Sequence, residues 1–307
     1  MRTSTIAAAG SRIRVLEDGR GEPAVLFVHG VGGWAENWSE AIERVAASGR
    51  RAIAFDLPGF GESSAVGGAR YFDPRDPFYP TVVDGVRRAL GLDRPHLVGH
   101  SLGGGIAAAT SVVHPDAWRS LTLVAPGGFG AEIALVLRIF SLPFLALTTW
   151  LPRPAGAGRA VLESCFHDRS RIPAHLYAES VRYDPSYPET LRVMRAVATL
   201  RGVRRSLREA WLARAGEYAG PVLVVWGRED GIISSAHAAT LRRVYPHAEL
   251  RVIERAGHLV MPEQPDAFAD ALLMFLAEAE RNDALSRARR GSADARSMTS
   301  GVAHQER

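Results

Sequence analysis

Lysine is absent from the chain, so all 37 basic residues are arginine, set against 33 acids for a formal net charge of +4. The arginines are spread from end to end and mixed with acids, whereas nucleic-acid binding needs them clustered on one face. Only Arg201, Arg204, Arg205 and Arg208 come close together, and they read as a solvated helix face. Cysteine is nearly absent: Cys165 alone cannot form an internal disulfide, and no CxxC or His/Cys ligand pattern surrounds it. No metal or other cofactor is expected. Met1 to Gly10 holds one Arg and no apolar core of the kind a secretory signal needs, which reads as a cytoplasmic protein. The most apolar stretch, Ile133–Leu151, contains Arg138 and Pro143, which argues against a membrane span. Hydrophobic residues make up 47% and charged residues 23%, which excludes disorder along the whole length.

What is present is an alternation of two periods. Short apolar runs at Ala24–His29, Ala52–Leu57, His96–Gly99, Leu121–Ala125, Val222–Trp226 and Leu250–Ile253 read as strands. Helical patterns such as Ala35–Ala47, Thr81–Leu90, Leu102–Val113 and Ser235–Val244 separate them. Continuous apolar strands between helices imply a doubly wound, mostly parallel sheet of the α/β class. Arg2–Ala8 and Arg12–Glu17 would add an antiparallel edge hairpin. From residue 127 to 220 the alternation stops. No strand is evident there, and helical patterns fall at Ala131–Trp150, Ala174–Arg182 and Glu189–Ala213. The expected organisation is therefore a core of residues 1–126 and 221–280 with a helical cap of 127–220 inserted between two late strands. The polar tail, 281–307, is expected to be disordered.

Chemistry concentrates at Gly99-His100-Ser101-Leu102-Gly103, directly after a strand and before a helix. This is a G-x-S-x-G turn in the strand–turn–helix context that presents a serine hydroxyl as nucleophile. A serine needs a base, and His258 lies in the loop after the last strand, whereas His114, His237 and His247 read as surface or capping residues. An acid must hold the imidazole. The strand Val222–Trp226 runs into Gly227-Arg228-Glu229-Asp230, and Asp230 is preferred to the longer Glu229. The loop after the preceding strand, Val124-Ala125-Pro126-Gly127-Gly128, offers no carboxylate. Backbone N–H groups must also meet a developing oxyanion. That of Leu102 is the first candidate and that of Val31, in His29-Gly30-Val31-Gly32-Gly33-Trp34, the second, with Gly32 as fallback.

His29-Gly30, Asp56-Leu57-Pro58-Gly59-Phe60-Gly61-Glu62-Ser63, the serine turn, Trp226-Gly227 with Asp230, and Gly257-His258 follow in the order seen in α/β-hydrolases, and the chain resembles that superfamily from about Ala24 to Leu276. The resemblance implies the α/β-hydrolase fold and a Ser–His–Asp hydrolase. Dehalogenases and epoxide hydrolases of this fold use an aspartate nucleophile, which Ser101 argues against. Carboxylesterases and monoacylglycerol-type lipases commonly read Gly-His-Ser, as here. Pro126-Gly127-Gly128-Phe129-Gly130 is similar to the cap opening of meta-cleavage-product C–C hydrolases, but those usually carry Asn before the Ser and Trp after the His, where this chain has His100 and Leu259. The expectation is thus an esterase acting on a small-molecule ester with an apolar acyl group. The alternatives are a C–C hydrolase of dienoates, with Arg182 or Arg192 for the charge, and a catalytically silent ligand-binding protein. Gly32, Trp34, His100, Phe129, Phe140 and Leu259 are expected to line the pocket. The apolar cap stretch would wall an acyl site, or pack within the cap or against a second subunit of a homo-oligomer.

Overall fold

The computed structural model describes residues 1–67, 77–148, 157–182 and 186–302, so Trp150, Leu151, Pro152, Pro154 and Pro185 lie outside the described residues. Among the described residues one sheet has eight strands. The first three are β1 (Arg2–Ala8), β2 (Ser11–Asp18) and β3 (Val25–Val28), and β4 (Ala52–Phe55), β5 (His96–His100) and β6 (Ser120–Val124) follow. After two short strands, β7 (Ala198–Thr199) and β8 (Gly202–Val203), β9 (Val222–Gly227) and β10 (Glu249–Ile253) complete it. The spatial order is β1-β2-β4-β3-β5-β6-β9-β10. β1 and β2 form the expected antiparallel edge, and β4 to β10 in that order pair parallel.

Successive side chains of a strand point to opposite faces, and here both faces are covered. Leu26 and Val28 join one core cluster while Val25 and Phe27 join the other; Val222, Val224 and Trp226 divide from Leu223 and Val225 in the same way. The first cluster is closed by α2 (Phe78–Ala89) and α3 (Leu102–Val113). The second is closed by α1 (Ser39–Ala47) and by Phe268, Leu272, Phe275 and Leu276 of the last helix.

β6 and β9 are hydrogen-bonded neighbours, yet nearly one hundred residues separate them in the chain. The inserted segment contains α4 (Leu135–Phe140), α5 (Ala157–Ser164), α6 (Ala174–Arg182), α7 (Tyr187–Val197) and α8 (Arg205–Ala215). It departs from the sequence reading in two places. The apolar stretch from Ile133 is not one long helix. α4 ends at Phe140, and Pro143, which has no N–H to donate, opens a separate 3-10 segment, Pro143–Thr148. The helical pattern Glu189–Ala213 is also broken, because Ala198–Thr199 and Gly202–Val203 pair as a hairpin too short to leave a periodic signal.

Beyond the sheet lie α9 (Ala238–Val244), α10 (Val260–Glu263) and α11 (Pro265–Val302). The tail expected to be disordered from Arg281 instead continues α11 to Val302. Its alanines and arginines favour helix, and Asp283 ties the helix to Arg94 at 3.0 Å and to Arg119. Among the described residues no helix is long and apolar enough to cross a membrane.

Candidate active site

Ser101 sits between the end of β5 and the first turn of α3 with φ +54° and ψ −119°, a backbone conformation that non-glycine residues rarely hold. The surroundings enforce it. A Cβ at Gly99 would overlap the carbonyl oxygen of Gly103, and one at Gly103 would overlap those of Val28 and His29. The Ser101 N–H donates to Val124 at 2.9 Å, and its carbonyl accepts from Gly104 at 3.0 Å and Gly127 at 2.8 Å. The strained turn is thus held by β6 and by the start of the insertion.

The loop after β9 brings up Asp230, whose carboxylate is buried. Oδ1 accepts the N–H groups of Ile232 (2.8 Å) and Ile233 (2.9 Å), and Oδ2 accepts the Trp226 indole N–H at 3.2 Å. Oδ2 also lies 2.8 Å from Nδ1 of His258, in the loop after β10. An ionised carboxylate only accepts, so Nδ1 carries the proton and Nε2 keeps its lone pair. That tautomer is the one a general base needs. His100 donates from Nε2 to the His258 carbonyl oxygen at 3.0 Å. Burial, reinforced by the neighbouring His258, holds the His100 imidazole well below its ordinary range.

Ser101 and His258 line one cavity of about 250 Å³. Of the expected pocket residues, Gly32, Trp34, His100, Phe140 and Leu259 line it. Phe129 does not: it is buried in the core against Tyr245, because the backbone after β6 turns its ring into the sheet face instead. The insertion contributes Val136 and Leu137 of α4 and Tyr187 and Thr190 of α7. A second chamber of about 60 Å³ meets the first at Val31, Ser101 and Leu137 and is almost wholly apolar, with Leu102, Ile133, Met194 and Trp211 among its walls. Val31 lines both chambers and Leu102 the smaller one, and among the described residues the N–H of neither donates to a protein acceptor. Leu102 is in the first turn of α3, where N–H groups have no partner within the helix and the helix dipole favours negative charge.

No Arg, Asp or Glu lines either chamber among the described residues. Arg182 pairs with Glu62, and Arg192 pairs with Glu189 at 2.7 Å, so neither expected cation faces the cavity. Three participants escaped the sequence reading. Cys165 lines the cavity, but burial and the Asp230 carboxylate push its thiol up to about 12, so it is no competing nucleophile. Trp211 walls the small chamber, and Glu263 is wholly buried five residues beyond His258. Among the described residues no cluster of His, Cys, Asp and Glu is arranged to hold a metal ion.

A family model described as alpha/beta hydrolase fold matches residues 23–265. The chain belongs to the α/β-hydrolase family. Two curated relatives of this hydrolase cover most of both chains. The 2-hydroxy-6-oxo-6-phenylhexa-2,4-dienoate hydrolase of Burkholderia cepacia is 31% identical over 280 residues, 87% of this chain and 91% of that one. The 2-hydroxymuconate semialdehyde hydrolase of Pseudomonas putida is 32% identical over 281 residues, 90% and 94% respectively. Among solved structures, the enol-lactonase from Burkholderia xenovorans superposes with a TM-score of 0.71 at 19% identity, covering 89% of this chain and all of that one, a likeness of fold.

Proposed function

We propose that this hydrolase cleaves an uncharged carboxylic ester through an acyl-enzyme on Ser101. The carrying observation is the site's lining: the serine lines two chambers, which share Val31 and Leu137 as walls and offer apolar surface and hydroxyls but no Arg, Asp or Glu side chain among the described residues. Burying a carboxylate there would forfeit its hydration without an ion pair in return. In the proposed mechanism His258 Nε2 takes the Ser101 proton as Oγ attacks the ester carbonyl, and the oxyanion accepts from the N–H groups of Val31 and Leu102. The imidazolium, steadied by Asp230, then protonates the departing alkoxide, and the C–O bond breaks. Water, deprotonated by His258, attacks the acyl-enzyme and returns Ser101 with the free acid.

The same chemistry orients the substrate. The leaving alcohol must lie within reach of His258, which lines only the larger chamber. The acyl group, on the other side of the carbonyl carbon, then enters the small apolar chamber. The apolar stretch expected to wall one acyl site is thus divided: Ile133 faces the small chamber, Val136 and Phe140 the large one, and Leu137 both. Each methylene buried adds about 0.8 kcal/mol until the small chamber is full, which favours short acyl groups on bulky alcohols. The inserted segment would act as the cap that completes both chambers.

A second reading, C–C bond hydrolysis of a dienoate, is supported by the named activities of the two curated relatives. Purified enzyme assayed on p-nitrophenyl esters of increasing acyl length and on a ring-fission dienoate separates the two. Ester turnover with a short-chain optimum and little dienoate cleavage is expected. Efficient dienoate cleavage with no ester turnover would reverse the order.

A further inference from the structure

Glu263 is a buried acid that the triad chemistry does not use. Its carboxylate is wholly enclosed, and it faces three backbone donors from two separate parts of the chain. Oε1 accepts from the Asp168 N–H at 2.7 Å. Oε2 accepts from the Gly257 N–H at 2.7 Å and the His167 N–H at 3.2 Å. His167 and Asp168 belong to the insertion, whereas Gly257 immediately precedes His258. On the other side of that histidine the Leu259 N–H donates to the Cys165 carbonyl at 3.1 Å. The two backbones run so close that a Cβ at Gly257 would come within 2.7 Å of both the Cys165 oxygen and the His167 nitrogen.

Burying a carboxylate is costly, and three charge-assisted hydrogen bonds offset that cost, while Arg171 Nε donates to the main-chain carbonyl of the same residue at 2.9 Å. A glutamine of the same shape would offer one accepting oxygen to three donors and turn an N–H group towards another N–H. A negative charge is therefore what the position requires, and it is spent joining the insertion to the His258 loop.

We infer that Glu263 is a positioning residue, one that couples the seating of the insertion to the placement of the His258 imidazole over Ser101. This rests on the reading of His258 as base. The Cys165–Asp168 segment and the His258 loop move as one body, so any opening of the insertion hinges elsewhere.

The test compares wild type, Glu263→Gln and His258→Ala in p-nitrophenyl ester turnover. For Glu263→Gln the inference expects kcat to fall about 10- to 100-fold, the scale of a slightly misplaced catalytic group. KM should change less than kcat, since Glu263 itself lines neither chamber, and the pH–rate profile should be displaced because the base is displaced. Loss of activity in His258→Ala with an unaltered kcat and pH profile in Glu263→Gln would overturn the inference alone. Full activity in His258→Ala would overturn the reading beneath it. If Glu263→Gln does not fold, native-state hydrogen exchange on the wild-type chain decides. The amides of His167, Asp168 and Gly257 should open with one common protection, and independent opening of the insertion amides would contradict the coupling.

Discussion

At the residue scale the molecule relies on histidines kept neutral by burial. His29 Nδ1 donates to the Gly30 carbonyl at 2.7 Å, and Nε2 accepts from the Leu57 N–H at 2.9 Å. A second proton would meet a donor. Burial lowers its pKa to about 4. The unfolded chain takes up this proton below the ordinary histidine value near 6.5 while the folded chain does not, so stability present above that value is lost as pH falls towards about 4. The loss amounts to about 3 kcal/mol. Burial shifts His96 and His100 in the same direction. Asp56 works against them: burial raises it to about 6, so the folded chain gains a proton before the unfolded one. Burial lowers His237 as well, and raises Glu40 and Glu179 alongside Asp56. Four lowered histidines against these three carboxylates predict that the unfolding free energy from urea titration declines between neutral and mildly acid pH. His29→Gln, which keeps a donor and an acceptor without the titration, should flatten that slope. A pH-independent wild type, or the same slope in the variant, would contradict the assignment.

At the element scale the sheet was legible because its inner strands are continuous buried runs, and loops at their C-terminal ends have fixed places. Ser101, Asp230 and His258 follow from that regularity together with the G-x-S-x-G turn and the residue types those loops offer. The insertion was legible as a helical segment between β6 and β9, with a helix at Ala174–Arg182 as expected, but its interior packing was not, because its apolar residues serve several surfaces at once. Leu135 and Ile139, one turn apart on α4, face outward while Val136 and Phe140 face the cavity, so apolar content did not mark a single buried face. Glu263 was invisible for a related reason: two of its three donors, His167 and Asp168, come from the insertion, about 95 residues away in the chain. Trp211 of α8 has the same origin. It reaches the small chamber beside α3 because Gly105 leaves room, where a Cβ would come within 2.9 Å of the indole. Trp211→Ala should therefore lengthen the acyl chamber and move the preferred ester from butyrate towards octanoate. The octanoate-to-butyrate ratio of kcat/KM is expected to rise about tenfold, well within the gain that several newly buried methylenes allow. An unchanged acyl profile with an altered alcohol preference would reverse the assignment of the chambers.

At the scale of the whole molecule, the sheet and the insertion meet around Ser101, and the last helix backs the sheet. The sheet supplies four loops, from β3, β5, β9 and β10, and the insertion lines the chambers with them. α11 clamps the opposite face through Phe268, Leu272 and Leu276, and its Glu280 bonds Arg50 at 2.7 Å. Everything proposed for this hydrolase depends on Ser101 forming a covalent intermediate. A serine-directed phosphonate followed by intact-mass and peptide analysis measures this directly. The account predicts one adduct per chain, carried by the peptide containing Ser101, abolished in Ser101→Ala and strongly slowed in His258→Ala. An adduct on any other residue, or undiminished ester turnover by Ser101→Ala, would contradict it.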